Sequence, residues 1–181
     1  MQRAITAALC LGIIAGTAMY WSGVADSSTP AGGAIQVWGT PGNNGGGTTL
    51  ITGAIADSGT STHANSSGSP SKKGTYTLLE LKKGNILVNT TQLNKDENNA
   101  GPIASEFNMT TCSGYIPVTA PVPVVKGTKA YQGISGSVSV TLTFAFVIPL
   151  QKGKCNLSNN GPNPSAQYGS IAGTGTVSFS G

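Results

Sequence analysis

The sequence predicts an all-β protein: an antiparallel barrel of approximately eight strands, with a two-sheet β-sandwich as the alternative. Residues 134–148 alternate apolar side chains with small or hydroxylated ones, which predicts a strand with one apolar face and one Ser/Thr face. Glycine supplies 26 of the 181 residues and only 9% of residues are charged, as in secreted β domains rich in turns. No long helical period appears after residue 25.

Residues 1–25 have the pattern of a secretory signal peptide. Arg3 precedes an apolar run that reaches Met19, and small residues at positions 23–25 suit cleavage before Asp26. An uncleaved membrane anchor is the alternative, but the run is short for a membrane span and is interrupted by glycine. We therefore expect a secreted, extracellular protein with no stable membrane insertion after cleavage.

Residues 26–47 are rich in Gly, Ser, Pro and Asn, which predicts a flexible segment ahead of a barrel domain formed by residues 48–181. Within that segment, residues 35–38 (IQVW) are apolar enough to form a short first strand or to dock on the barrel.

Further strands are indicated by alternation and by β-branched content. They cover residues 48–55, 75–82, 85–91, 103–118, 134–148 and 167–179. The polar stretches between them, residues 56–74 and 92–101, are predicted to be loops or connections. Pro117, Pro121 and Pro123 predict an extended, edge-like segment, because proline cannot donate to a strand ladder.

The strand at residues 134–148 is too long to be straight, since strands usually span about 3–10 residues. It must bend, coil around a barrel, or break near Gly136. We expect its apolar side chains, Val138, Leu142, Phe144 and Phe146, to point into the barrel. In the alternative arrangement the Ser/Thr face lines the interior, and another subunit or the N-terminal segment covers the apolar face.

Two cysteines remain once Cys10 leaves with the leader, and an even count in an exported protein predicts a disulfide between Cys112 and Cys155. Closing a loop of about 40 residues would stabilise the fold by roughly 3–4 kcal/mol in the chain-entropy model. With a single histidine and no CxxC spacing, we predict no metal site, and nothing indicates a cofactor.

The ten basic residues include Arg3 in the leader, so the mature chain has nine lysines against six acidic residues and no arginine. No aromatic residues are interleaved with the lysine pairs at 72–73 and 82–83, so no nucleic-acid partner is expected. The absence of arginine also argues against bidentate recognition of phosphate or carboxylate groups.

Residues 127–136 (GTKAYQGISG) resemble the G-T-G-x-[YF]-x-G-x-x-G signature of the allene oxide cyclase/dirigent-like barrels. Residues 51–60, the hairpin at 81–84 and the closing segment 173–179 fit relatives of the same group, so the chain resembles a small secreted member of bacterial type. The resemblance implies an eight-stranded antiparallel barrel, often trimeric, with an apolar interior pocket. Plant members steer cyclisation or radical coupling without a cofactor.

That resemblance implies the fold more strongly than the reaction. Dirigent chemistry is associated with arginine and aspartate in the pocket, and the mature chain has no arginine. The cyclase members use a buried carboxylate, which no single position here matches.

Asp57 and Glu80 are the candidate catalytic carboxylates. Asp57 follows the predicted strand at residues 48–55, in an ADSGT turn. There it either caps its own turn or acts as an acid at a pocket mouth. Glu80 either faces into the barrel with a raised pKa or faces outward and pairs with a lysine. We favour the outward position for Glu80.

Candidate ligand-binding residues are Tyr131, Tyr115, Asn89 and Asn108. Tyr131 belongs to the glycine motif and is expected mainly to pack against the neighbouring strand. The two asparagines need hydrogen-bond partners or a ligand if they point inward. His63 is expected to be a solvated loop residue.

The leading functional hypothesis is a secreted β-barrel that binds a small, mainly apolar molecule in its interior, as a monomer or as a homo-oligomer (dimer or trimer). One alternative is a cofactor-free isomerase or cyclase, or a dirigent-like stereo-guiding protein. The other is an extracellular structural or interaction protein with a filled barrel. An interior cavity separates the first two hypotheses from the third.

Overall fold

The computed structural model describes residues 31–42, 46–100, 107–157 and 164–180. The predicted leader, residues 1–25, lies outside these ranges. In chain order the elements are β1 (Gly33–Pro41), β2 (Gly46–Gly53), β3 (Asp57–Ala64), β4 (Tyr76–Leu81), β5 (Gly84–Asn89), α1 (Thr91–Asn99), β6 (Ser113–Gly127), a short 3₁₀ helix (Lys129–Tyr131), β7 (Ile134–Val147), β8 (Leu150–Gln151), β9 (Lys154–Cys155) and β10 (Ala166–Phe179).

The eight longer strands form one closed antiparallel barrel in the order β1-β10-β7-β6-β5-β4-β3-β2. Neighbours along the chain are neighbours in the sheet, except where the small β8–β9 hairpin leaves the barrel. Closure comes from β1, which pairs with β10 on one side and with β2 on the other. The predicted eight-stranded barrel is confirmed, and the sandwich alternative is wrong.

The barrel begins earlier in the chain than the sequence pattern predicted. Gly33–Pro41 is a complete wall strand, so the prediction of a flexible segment over residues 26–47 is wrong for this part. The apolar residues 35–38 explain the difference. Ile35 is buried in the core and Val37 packs against it, while the backbone of β1 pairs with both neighbouring strands. Without β1, the barrel would leave two open edges.

Two elements lie where polar loops were predicted. Strand β3 (DSGTSTHA) occupies part of residues 56–74, and α1 occupies most of residues 92–101. In β3 the inward side chains are polar, so the usual apolar alternation is missing. In α1 only Leu93 is buried, which is too little for a recognisable helical period.

Strand β6 starts at Ser113, which is later than predicted, and its prolines occupy an edge as expected. Its pairing with β7 extends from Ser113 to Val124, whereas β5 reaches β6 only at its far end, from Val124 to Gly127. Helix α1 packs against β6 in place of a further strand. Proline is tolerated there because no ladder hydrogen bond is needed on that side.

The apolar face of β7 points into the barrel from Val138 to Phe144, as expected, whereas Phe146 is not part of this core and stacks on Phe107. Val138, Val140 and Leu142 are buried, and Phe144 packs against the same core. The Ser/Thr face points outward, where the hydroxyls of Thr119 and Thr141 lie 2.8 Å apart across β6 and β7. Strands β1, β2, β7 and β10 contain no charged residue, and their outward faces are called the outer wall below.

Gly136 allows β7 to remain continuous through its coil. Its φ is +138°, a conformation that side chains rarely adopt, and a Cβ atom there would clash with the carbonyl oxygen of Thr176 on β10. The long strand therefore bends at this glycine and does not break.

The predicted disulfide is present. Cys112, just before β6, is bonded to Cys155 in β9, with 5.4 Å between the two Cα atoms. The bond ties the β8–β9 hairpin to the start of β6, close to the stacked rings of Phe107 and Phe146. Within the described ranges, no helix has the length and apolar character needed to cross a membrane.

Candidate ligand cavity in the barrel

The two ends of the barrel differ. At one end, called the closed end, the β4–β5 hairpin, the start of β3 and the 3₁₀ helix meet. Tyr131 is 0% exposed there, and its hydroxyl donates a 2.7 Å hydrogen bond to Oδ2 of Asp57. Ile55, Leu81 and Ile134 are buried in the core near this end. The barrel is therefore sealed on this side by an aromatic side chain anchored to a carboxylate.

Asp57 is held at the closed end by donors from the protein itself. Its carboxylate accepts hydrogen bonds from the backbone N–H groups of Ser58 (2.7 Å) and Lys83 (2.9 Å), besides the one from Tyr131. Burial alone would raise the pKa of Asp57, but the hydrogen bonds from Tyr131 and the two backbone groups outweigh it and lower that pKa. Burial, together with the bond to Asp57, raises the pKa of Tyr131.

This geometry answers the question about Asp57 that the sequence left open. The side chain caps its turn and anchors Tyr131, and it lies at the closed end and not at a mouth. Neither residue lines the cavity described next. Because its lone pairs are occupied by protein donors, Asp57 functions in this structure as a structural acceptor.

The barrel encloses a cavity of about 300 Å³. Its walls are mainly aliphatic and come from all eight barrel strands. The lining includes Ile35, Val37, Ile51, Leu79, Ile86, Val88, Val122, Val138, Val140, Leu142, Phe144 and Val177. A volume of this size lies at the small end of the range for ligand sites, which is about 300–1,000 Å³.

Helix α1 lies at the other end, called the mouth. It leaves β5 directly and contributes Leu93, Asn94 and Glu97 to the lining of the cavity. Leu93 is buried and belongs to the same core as the wall residues, so this side chain anchors the helix at the mouth. The remainder of α1 is polar, which suits a cover that faces solvent.

Polar side chains gather at the mouth. The group, called the mouth cluster, consists of Ser61, His63, Thr77, Thr90, Asn94 and Glu97. His63 and Thr77 are direct partners across β3 and β4. The hydroxyls of Thr77 and Thr90 lie 3.2 Å apart, and Thr90 also donates to the carbonyl oxygen of Thr75.

His63 is the least satisfied member of the mouth cluster. Its Nδ1 atom is shielded from solvent and has no hydrogen-bond partner among the described residues. A buried nitrogen without a partner destabilises the fold, typically by about 1–3 kcal/mol. The prediction that His63 is a solvated loop residue is wrong, because it lies on β3 with its ring at the cavity.

Glu97 places a carboxyl group near His63. Its side chain keeps contact with solvent, yet partial burial at the mouth raises its pKa, while the charge of His63 acts in the opposite direction. The mouth therefore combines a carboxylate, an imidazole and neutral hydroxyl and amide groups beside an apolar cavity.

The other sequence candidates lie away from this cavity. Glu80 is exposed and accepts a hydrogen bond from Thr62, so its outward position is confirmed, although its partner is a hydroxyl and not a lysine. Asn89 accepts from the backbone N–H of Thr91, at the start of α1.

Asn108 caps a turn by accepting from the backbone N–H groups of Thr110 and Thr111. Tyr115 is 44% exposed on the outside of the barrel. The described residues contain no group of three or more His, Cys, Asp or Glu side chains placed to hold a metal ion.

The fold and the cavity define a closed antiparallel β-barrel with one sealed end and one helix-covered mouth. No protein-family model matches the chain, and the comparisons with curated proteins and with solved structures find no match. The resemblance to the allene oxide cyclase/dirigent-like barrels therefore stays a prediction made from residues 51–60, 81–84, 127–136 and 173–179.

Proposed function

We propose that this protein binds a small, mainly apolar molecule inside the barrel. The cavity of about 300 Å³ carries the proposal, because its walls are aliphatic and its volume is that of roughly ten liquid waters. An aliphatic space of this kind holds water poorly, which makes an apolar molecule its favoured occupant.

Binding is favoured over catalysis by the positions of the two candidate acids. Asp57 is saturated with protein donors at the closed end, and Glu80 is outside the barrel. An inward-facing Asp57 or Glu80 would favour the isomerase and stereo-guiding hypotheses, and neither residue lines the cavity. A filled structural barrel is disfavoured because the interior holds open volume.

Titration of the protein with naphthalene, followed by calorimetry, tests the proposal. We expect saturable binding that Val140→Phe weakens at least tenfold, because the new ring occupies space in the cavity. Ser139→Phe is the matched control, since it adds the same ring one residue away, on the outer wall. Equal binding by both variants would place the ligand elsewhere. A broad lipid and phenolic screen by native mass spectrometry that found nothing bound would contradict the proposal.

We further propose that the protein acts outside the cytosol. The leader pattern of residues 1–25 supports this, and so does the Cys112–Cys155 bond, because disulfides persist mainly in oxidising compartments. Intact-mass measurement of material from the culture medium, compared with a chain that starts at Asp26, tests it. Only full-length protein, retained in the cells, would contradict it.

We also propose that the protein self-associates, as a dimer or trimer, through the outer wall. Support comes from its lack of charge and from the exposed pair Trp38 and Leu50, which are partners across β1 and β2. Light scattering on the protein as it elutes from a size-exclusion column should give a mass that is a multiple of the chain mass. Trp38→Lys should lower that measured mass. A wild-type protein that is monomeric at all concentrations would refute this.

A further inference from the structure

The mouth cluster has a chemical preference that the apolar walls lack. It holds one carboxyl group, that of Glu97, among an imidazole and neutral hydroxyl and amide groups. An anionic head group would therefore meet a like charge at the mouth, in surroundings where screening by water is reduced. A neutral polar group meets no such repulsion.

His63 indicates which kind of neutral polar group on a ligand would bind best at the mouth. Among the described residues the Nδ1 nitrogen has no hydrogen-bond partner, and it is shielded from solvent, so a ligand inside the barrel can supply the missing partner. The second torsion of histidine is soft, so a modest rotation of the ring can present this nitrogen to the cavity. A hydroxyl group both donates and accepts hydrogen bonds, and it can therefore pair with Nδ1 in either tautomer of the ring.

We propose that the ligand is an apolar alcohol or phenol whose hydroxyl group binds His63 at the mouth while its hydrocarbon body fills the barrel. This inference rests on the proposed function, since it assigns the head group of the same interior ligand. Glu97 acts as the group that excludes carboxylates. Thr77, the strand partner of His63, lies beside the head group.

Four probes that share one ring system test the head group: naphthalene, 2-naphthol, 2-naphthoate and (2-naphthyl)methylammonium. At neutral pH we expect 2-naphthol to bind about tenfold more tightly than naphthalene, which is the effect of one hydrogen bond. Both charged probes should bind more weakly than 2-naphthol.

His63→Leu identifies the anchoring residue. We expect the ratio of the affinities for 2-naphthol and naphthalene to fall from about ten to about one. This ratio reports on the head group even where the variant changes the affinity for the shared ring system. The matched control is Thr62→Val, because Thr62 is adjacent on β3 and its hydroxyl points outward, to Glu80. This control should keep the tenfold preference.

Glu97→Gln provides a readout that does not depend on how His63→Leu folds, because Glu97 is solvent-exposed on α1. It should improve the binding of 2-naphthoate several-fold relative to the binding of naphthalene by the same variant. The outcomes separate the two proposals. If naphthalene binds but 2-naphthol is no tighter, if a charged probe binds best, or if His63→Leu keeps the preference, the hydroxyl assignment is overturned while the apolar site stands. If no probe binds, both fall.

Discussion

Replacement of Tyr131 by phenylalanine tests the anchor that seals the closed end. The change removes one hydroxyl and keeps the ring, so the packing is preserved while Asp57 loses the one side-chain donor that it has among the described residues. Hydrogen bonds to charged groups contribute about 1.5–3 kcal/mol. The two backbone donors remain, so we expect the free energy of unfolding to fall by about 2 kcal/mol. For a domain of this size that lowers Tm by roughly 4–8 °C.

The loss should depend on pH in a defined direction. The pKa of Asp57 in the folded protein lies below its ordinary value of 3.8, so its contribution to stability is complete above pH 3.8 and is lost as the pH falls through the folded-state pKa. The pKa of Tyr131 is raised above 10.0, so its contribution is complete below pH 10.0 and is lost as the pH rises further. The difference in unfolding free energy between the wild type and the variant should therefore be constant between pH 3.8 and pH 10.0, and it should shrink both below and above that window.

Urea unfolding, monitored by far-UV circular dichroism and by the fluorescence of Trp38, measures the effect at pH 7 and pH 3. Tyr168→Phe is the matched control, since Tyr168 is 64% exposed and its loss of a hydroxyl should be nearly neutral. A double-mutant cycle with Asp57→Asn should give a coupling of about 1–2 kcal/mol between the two side chains. The reasoning is refuted if Tyr131→Phe costs no more than Tyr168→Phe, or if its cost is the same at both pH values.

Three further changes probe other parts of the barrel. Replacing Cys112 and Cys155 by serine should lower the free energy of unfolding by about 4 kcal/mol, because 43 residues separate them, and a midpoint in urea equal to the wild type would contradict the chain-entropy argument. Gly136→Ala should lower the free energy of unfolding by about 2–4 kcal/mol, because of backbone strain and of the clash with β10. Gly153→Ala is the control: its φ is also positive but the space around it is open, so it should lower that free energy by only about 1 kcal/mol. Equal losses in urea unfolding would be evidence against the clash. Leu93→Ala should speed amide hydrogen exchange in α1 at least tenfold while the barrel strands keep their protection, and unchanged exchange would mean that Leu93 does not hold the helix.

The barrel was predictable wherever one strand face is apolar. Residues 134–148 could be assigned to a strand with a known inward face, because Val138, Val140 and Leu142 recur with period two. The disulfide was also predictable, because only one pairing remains after the leader is removed. Both predictions use signals that are local in the sequence.

The mouth of the cavity was not predictable by the same route. His63 lies on a strand whose inward positions are polar, so periodicity in apolar residues gives no sign of it. Glu97 is on a helix with a single buried residue, and nothing in the local sequence links it to His63. The strand containing Asp57 was missed for the same reason, so its contact with Tyr131, 74 positions along the chain, could not be foreseen. Closure of the sheet brings His63 close to Glu97 at the mouth and Asp57 close to Tyr131 at the closed end.

The unequal ends of the barrel have a kinetic consequence. Tyr131 blocks one end, so a molecule in the cavity enters and leaves past the same helix. Changes that only loosen α1 should therefore accelerate association and dissociation by the same factor and leave the equilibrium affinity unaltered. Changes in the wall, such as at Val140, should act on the dissociation rate and hence on the affinity. For the ligand proposed above, α1 thus sets the rate of exchange without changing the affinity, whereas the wall sets both the affinity and the residence time. Selection could therefore adjust the exchange rate while leaving the affinity unaltered.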